Sequence, residues 1–231
     1  MNLIKKALKY FNWIEWTIFI SSLTLITASF FIFKNNSYLN LIASLIGVTA
    51  LIFVDKGHPL GQFITIIFAC FYAYVSYTFN YYGEMITYIG MTGLIACFSL
   101  VVWIMNPSKK KTEVRVNSIS QGEVFISFTV MFVISFLFYF ILKLLNTTNL
   151  LISTISIFTS LTASYLTLRR SKYYALAYAA NDVVLIIMWI LASISSSQYI
   201  SMVICFIFFL INDIYGFINW NKMEKKQALD K

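Results

Sequence analysis

Charge is scarce in this chain. Acidic and basic residues together make up 11% of its 231 residues, less than half of the roughly 25% usual in soluble domains. Apolar residues fill 60%, and the mean hydropathy is +0.79. Such a composition excludes an ordinary soluble globular protein. Proline is almost absent: Pro59 and Pro107 are the only two, both between apolar runs, so no run needs a proline kink. The single histidine, His58, sits in the connection Asp55-Lys56-Gly57-His58-Pro59 and reads as a solvated loop residue rather than a proton relay. Cys70, Cys97 and Cys205 fall inside apolar runs without a Cys-x-x-Cys spacing. They read as small buried packing residues, with no disulfide framework or zinc site implied. No His-Glu-x-x-His, Gly-x-Ser-x-Gly or Walker loop occurs, so no enzyme is expected.

What the chain has is apolar length. Runs over residues 17–33, 39–54, 62–81, 85–105, 124–145, 150–168, 173–194 and 200–220 match the roughly 20 residues a helix needs to cross a bilayer. An all-α integral membrane protein with eight transmembrane helices is predicted. Residues 1–15 place Leu3, Ile4, Ala7, Leu8, Phe11 and Ile14 at helical spacing beside Lys5, Lys6 and Lys9, as an interfacial lead-in to an uncleaved first span. The formal charge of +8 is explained without nucleic acid. With the N-terminus on the cytoplasmic side, every Lys and Arg except Lys34 and Lys143 lies inside, which supports eight spans with both termini cytoplasmic. Trp13, Trp16, Trp103 and Trp220 then mark the inner interface.

Sliding the chain along itself by about 117 residues superposes its hydropathy, bringing Trp103 onto Trp220. A shift of four spans keeps orientation, so the repeat is parallel, about an axis along the membrane normal. In transporters built this way the site lies near the midplane between the halves. The expected organisation is a 3+1+3 core plus an extra N-terminal helix. Its segments are a lead-in and first span over 1–37, a three-helix unit over 38–106, and a cytoplasmic loop with linker helix over 107–148. A second unit follows over 149–221, then a basic cytoplasmic tail over 222–231.

Polar groups concentrate in the last two spans. An ionisable residue at the centre of a spanning helix costs roughly 2.5–3.5 kcal/mol and reads by default as a functional site. Asn181 and Asp182 lie near the middle of the seventh span, and Asn212-Asp213-Ile214-Tyr215-Gly216-Phe217-Ile218-Asn219-Trp220 ends the eighth. Asn181, Asp182 and Asn212 are expected to bind polar groups of a substrate, with Tyr174, Tyr178 and Trp189 walling its ring and Tyr215 beside Asn212. The first unit contributes Gln62 and Tyr72, and a stripe of Tyr88, Thr92, Ser99 and Trp103. Trp103, Asn219, Trp220 and Tyr88 are candidate gate residues. On the competing reading, these amides and hydroxyls only bind helices together, at about 0.6 kcal/mol per contact, in an assembly protein without transport, and the two terminal Trp are interface anchors.

The repeated spans, the Asn181-Asp182 helix ending in Trp189, and the Asn212 to Trp220 motif followed by basic residues resemble the PnuC family of vitamin-precursor transporters. That resemblance implies a SWEET-like bundle in a bacterial inner membrane, a homotrimer, and uptake of nicotinamide riboside by facilitated diffusion with alternating access. Relatives carrying thiamine or riboflavin are the alternative, and no cofactor is implied. By position, Asn181 matches the family's seventh-span Asn, and Asn212, Tyr215 and Trp220 match its terminal motif. Where the family often carries a Trp-x-x-Trp pair, this chain has Tyr174 and Ala177, and the repeat-equivalent of Asn181 is Ile64.

Overall fold

The computed structural model describes residues 10–34, 37–109 and 112–230. These form eight helices long and apolar enough to cross a bilayer: α1 (Trp13–Ile32), α2 (Tyr38–Asp55), α3 (Pro59–Thr78), α4 (Tyr82–Met105), α5 (Gln121–Leu144), α6 (Leu150–Leu168), α7 (Tyr174–Ser195) and α8 (Ile200–Leu229). Leu3, Ile4, Ala7 and Leu8 of the expected lead-in lie outside the described residues. Asn12 starts α1 as a capping box: its side chain accepts from the Glu15 amide at 2.9 Å, and the Glu15 carboxylate accepts from the Asn12 amide at 2.7 Å. Residues in the left-handed region end several helices, among them Gly57 after α2, Asn80 after α3, Asn146 after α5 and Arg170 after α6. They turn the chain back through the short connections that adjacent antiparallel spans require.

Helices α2, α3 and α4 pack in series, as do α6, α7 and α8, while α2 meets α8 and α4 meets α6. The two triplets thus face each other. The linker α5 lies against α6, and α1 against α2 and α8. Both are peripheral, and α5 exposes large apolar side chains such as Phe125 and Phe132 that suit lipid.

Two pairs of repeat-equivalent residues meet across the triplets. Trp189 donates its indole N–H to the Tyr72 hydroxyl at 3.0 Å, across a separation of 117 residues. At the end of the bundle where α1 starts and α8 stops, the helix-termini end, the Trp103 and Trp220 rings lie 5.4 Å apart. Each of these Trp donates 3.1 Å to the penultimate carbonyl of the opposite triplet's first helix, Trp103 to Thr167 in α6 and Trp220 to Val54 in α2. A chain that pairs a residue with its own repeat image has a pseudo-two-fold axis running between them. Trp103 and Trp220 are 1% and 0% exposed. They sit at the predicted end but inside the bundle rather than against lipid, because each indole N–H finds a carbonyl there.

Other expectations are corrected. Cys70 and Cys97 are exposed, and only Cys205 is buried; a small apolar thiol is as compatible with lipid as with a core. His58 is half-buried, capping α3 by accepting from the Leu60 amide at 3.1 Å and packing on Tyr10 and Phe53, and this burial lowers its pKa. The eighth helix does not stop at the membrane: it continues to Leu229. The fourth span is interrupted by a π-helical stretch, Thr87–Gly93, that apolar periodicity did not show.

Candidate substrate-binding site

Between the triplets lies a cavity of about 50 Å³. It has room for a few waters at roughly 10–15 Å³ each. Helix α2 contributes Gly47, Ala50 and Val54; α3 contributes Gln62, Thr65 and Phe68; the π-helical stretch of α4 contributes Tyr88 and Thr92. From the second triplet come Thr167 of α6, Tyr178 and Asp182 of α7, and Phe209 and Asp213 of α8. Gly47 makes room for Phe209, since a Cβ there would collide with its ring. Among the described residues, no lysine, arginine or histidine lines the cavity. Its charge chemistry comes from Asp182 and Asp213, 3% and 1% exposed, which line it from the packed helices α7 and α8. One oxygen of each has no partner among the described residues.

Four of the candidate binding and gate residues therefore share one cavity, Gln62, Tyr88, Tyr178 and Asp182, together with Thr92 of the Tyr88 stripe. Asn181 is one position and 100° away. Its carboxamide oxygen accepts from Ser156, Thr159 and Ser160 of α6 at 3.3, 2.7 and 2.9 Å, joining α6 to α7. Asn212 is buried and donates to the Phe208 carbonyl of its own helix at 2.8 Å. Tyr215 points away from the cavity toward α1, donating to Glu15 at 2.8 Å and accepting from Asn12 at 3.1 Å.

The remaining residues close the bundle at its two ends. Tyr72 packs on Tyr88 and accepts from Trp189, whose ring packs in turn with Phe79, Tyr81 and Tyr199. At the termini end, Tyr174 packs on Trp220 with ring centres 4.8 Å apart and donates to Asp55 at 3.2 Å, while Asn219 donates to the Asp55 carbonyl at 2.7 Å. Gly216 lets the Asp55 carboxylate come against α8, in space a Cβ would occupy. Glu15, 1% exposed, ties α1 to this end through Lys56 at 2.8 Å, with the ammonium over the Tyr10 ring.

Asp213 is the cavity residue that reading the sequence passed over in favour of its neighbour Asn212. Its signal is helical phase. Asp213 stands four residues after Phe209 and seven before Trp220, as Asp182 stands four after Tyr178 and seven before Trp189. Residues at i, i+4 and i+7 share a face, so the stripe leading to each buried Trp points at the acidic residue.

Paired three-helix units with a cavity between them that carries two buried acidic side chains, aromatic closures at both ends and lipid-facing helices outside define a multi-pass membrane transporter of the parallel-repeat class. Comparison with known proteins narrows the class. The family model described as nicotinamide mononucleotide transporter matches residues 37–222. The nicotinamide riboside transporter PnuC of Neisseria mucosa is 23% identical over 208 residues, covering 88% of this chain and 79% of that protein. A crystal structure of the vitamin B3 transporter PnuC shares the fold with a TM-score of 0.83 at 22% identity, over 94% of both chains. The chain belongs to the nicotinamide mononucleotide transporter family.

Proposed function

We propose that the chain carries nicotinamide riboside into a bacterial cell, downhill and by alternating access of the two triplets around the cavity. The observation that carries this reading is the Asp182–Asp213 pair in a cavity with aromatic walls and no basic lining residue. Nicotinamide riboside is an N-glycosylated pyridinium, a permanent cation with a flat ring. Carboxylates supply its counter-charge, the rings of Tyr88, Phe68, Tyr178 and Phe209 supply cation–π and stacking surfaces, and Gln62 offers an amide to the carboxamide or ribose. A mononucleotide adds a phosphate, which such a lining repels. The charge pattern therefore favours the riboside named by the curated relative over the mononucleotide in the family's description.

The cavity is smaller than any nucleoside, so the triplets must part for substrate to reach it. The aromatic pairs at either end are the groups that would separate, Tyr72–Trp189 on one side and Trp103–Trp220 with Asn219 on the other. Asn181 and Asn212 support α7 and α8 from behind. We assign the termini end to the cytoplasm. Lys56, Arg115, Arg169, Arg170, Lys172, Lys222, Lys225 and Lys226 gather there, while Lys34 and Lys143 fall at the opposite end, which supports this orientation. A bacterial inner-membrane location and a homotrimer belong to the same proposal. The segment boundaries at 37, 106, 148 and 221 are part of it too, with the units rocking as bodies.

Reconstituted protein should take up labelled nicotinamide riboside saturably, with excess unlabelled riboside competing and the mononucleotide failing to compete. Thiamine, also an aromatic cation, is the informative competitor: transport of thiamine with none of the riboside would move the assignment within the family. Transport of the mononucleotide would sink the charge argument.

A further inference from the structure

Beside the Trp103–Trp220 closure lies a knot of hydrogen bonds that the repeat does not duplicate. Asp55, the last residue of α2, is 0% exposed. Its carboxyl group accepts from the Tyr174 hydroxyl of α7 at 3.2 Å, and its backbone carbonyl accepts from the Asn219 side chain of α8 at 2.7 Å. One residue of the first triplet thus holds two helices of the second. Gly216 makes the fit possible, since a Cβ there would collide with the Asp55 carboxyl group and stand 3.2 Å from the Tyr174 hydroxyl. The 117-residue offset sets Lys172 against Asp55, Gly57 against Tyr174 and Val102 against Asn219. Gly57 has no hydroxyl and Val102 no amide side chain, so the knot has no image in the other half. Stability does not account for it: one Asp55 oxygen has no partner among the described residues, and a well-packed apolar residue would hold α2 at lower cost. An acidic residue kept inside a membrane bundle reads as functional.

The two ends of the bundle are held unequally. At the Asp55 end, Trp103, Trp220, Tyr174 and Asn219 cross between the triplets with bonds of 3.1, 3.1, 3.2 and 2.7 Å. At the opposite end Trp189 donates to Tyr72 at 3.0 Å. The other crossing bonds there run from Tyr81 to the Met188 carbonyl, from Asn149 to Tyr81 and from the Thr148 amide to the Asn80 carbonyl, at 3.5, 3.4 and 3.3 Å. These are longer than well-formed hydrogen bonds and weaker for it.

We propose that Asp55 is the latch of the cytoplasmic closure, a positioning residue that must release Tyr174 and Asn219 before substrate can leave, and that its hold biases the empty carrier toward opening outward. The inference rests on the alternating-access reading above and on its assignment of the termini end to the cytoplasm. Asp55 touches no substrate. It acts through Tyr174 and Asn219, by fixing how often α7 and α8 part from α2 while the outer end stays free to open.

The test reads the two ends separately, with cysteine reporters in the full chain after Cys70, Cys97 and Cys205 are replaced by alanine. Ser76 of α3 stands four residues after Tyr72, and Ser99 of α4 stands four before Trp103. Both are 0% exposed, and neither hydroxyl has a partner among the described residues. Ser76→Cys and Ser99→Cys are therefore near-isosteric reporters on the faces of the outer and inner closures. A membrane-impermeant thiol reagent is applied to the outer face in right-side-out vesicles and to the inner face in inverted ones. Tyr174→Phe deletes one latch bond and should raise labelling of Ser99→Cys from the inner face about fivefold, while lowering labelling of Ser76→Cys from the outer face. Asn219→Ala should do the same, which keeps the test decisive if one variant fails to fold. Asp55→Ala should match Tyr174→Phe, and Asp55→Asn, whose carboxamide oxygen still accepts from Tyr174, should fall between that variant and the unaltered latch. Labelling that rises at both ends, or at neither, overturns the latch, because general loosening moves both reporters alike. No riboside enters the labelling, so a wrong substrate assignment, read by the uptake assay, leaves this result intact.

Discussion

At the ends of the bundle, residues 117 apart in sequence meet each other: Tyr72 with Trp189, and Trp103 with Trp220. The likeness extends to the backbone. The Val54 and Thr167 carbonyls that receive the terminal indoles also receive the amides of Gly57 and Arg170, and both of those residues have left-handed backbone. Midway between the ends the likeness stops. The same offset sets Thr65 against Asp182, Ala96 against Asp213 and Ser99 against Gly216. The closures are two-sided and the charge lining the cavity is one-sided. Two-fold symmetry suits parts that must open alternately, whereas a substrate with one charged end needs its counter-charge on one side only.

The sharpest way to break this contrast is to make the second unit's share of the cavity lining as neutral as the first's. Asp182→Asn combined with Asp213→Asn should lower riboside uptake by about 100-fold or more, since loss of a buried charge partner costs roughly 2–5 kcal/mol. Thermal stability should hold or rise, because uncompensated buried acids are removed. Uptake measured beside melting in detergent separates the two effects, and undiminished uptake would show that the charge is not the recognition element. The next variants probe the symmetric ends. Trp103→Phe and Trp220→Phe each keep a ring but delete one indole donor, and each should cost about 1 kcal/mol. Near-equal melting shifts are expected; a clearly unequal pair would mean that the two closures are alike in geometry but not in energy. The smallest effect is expected from Asn181→Ala. It removes the acceptor of three hydroxyls that can turn to their own helix carbonyls, a loss of about 0.6 kcal/mol, with uptake changed less than about threefold on the same scale. A collapse of uptake in folded Asn181→Ala protein would return that side chain to the site.

Much of this architecture is legible in the sequence because hydrocarbon enforces it. A helix must be about 20 residues long to cross, so eight apolar runs fix eight helices, and an offset of four spans fixes the relation between the triplets. The site is legible only in part. Gln62, Tyr88, Tyr178 and Asp182 could be chosen for their chemistry, and they share the cavity. Asn181 and Asn212 were attractive for the same reason, but a helix turns 100° per residue. One position therefore separates a cavity wall from a clamp on α6. The burial of Trp103 and Trp220 escaped because an indole at the end of a span suits an interface as well as a core, and only the facing carbonyls decide. The π-helical stretch at Thr87–Gly93 leaves no mark on a hydropathy pattern, since all its residues are compatible with an ordinary turn.

The segment between α4 and α5 bridges the two triplets. Val114 donates its amide to Gly57, and Arg115 donates to Asn106, both in the first triplet. Asn117 donates to Arg170 and Val116 to the Gln227 side chain, both in the second, and Gln227 donates back to the Val114 carbonyl. Parting the triplets at this end breaks one set or the other, at a net of about 1 kcal/mol per bond. A short, mostly solvent-side peptide thus acts as a spring with a defined rest length. Under the proposed alternating access, its stiffness would tune how much of the time the carrier spends closed at this end without altering what the cavity binds.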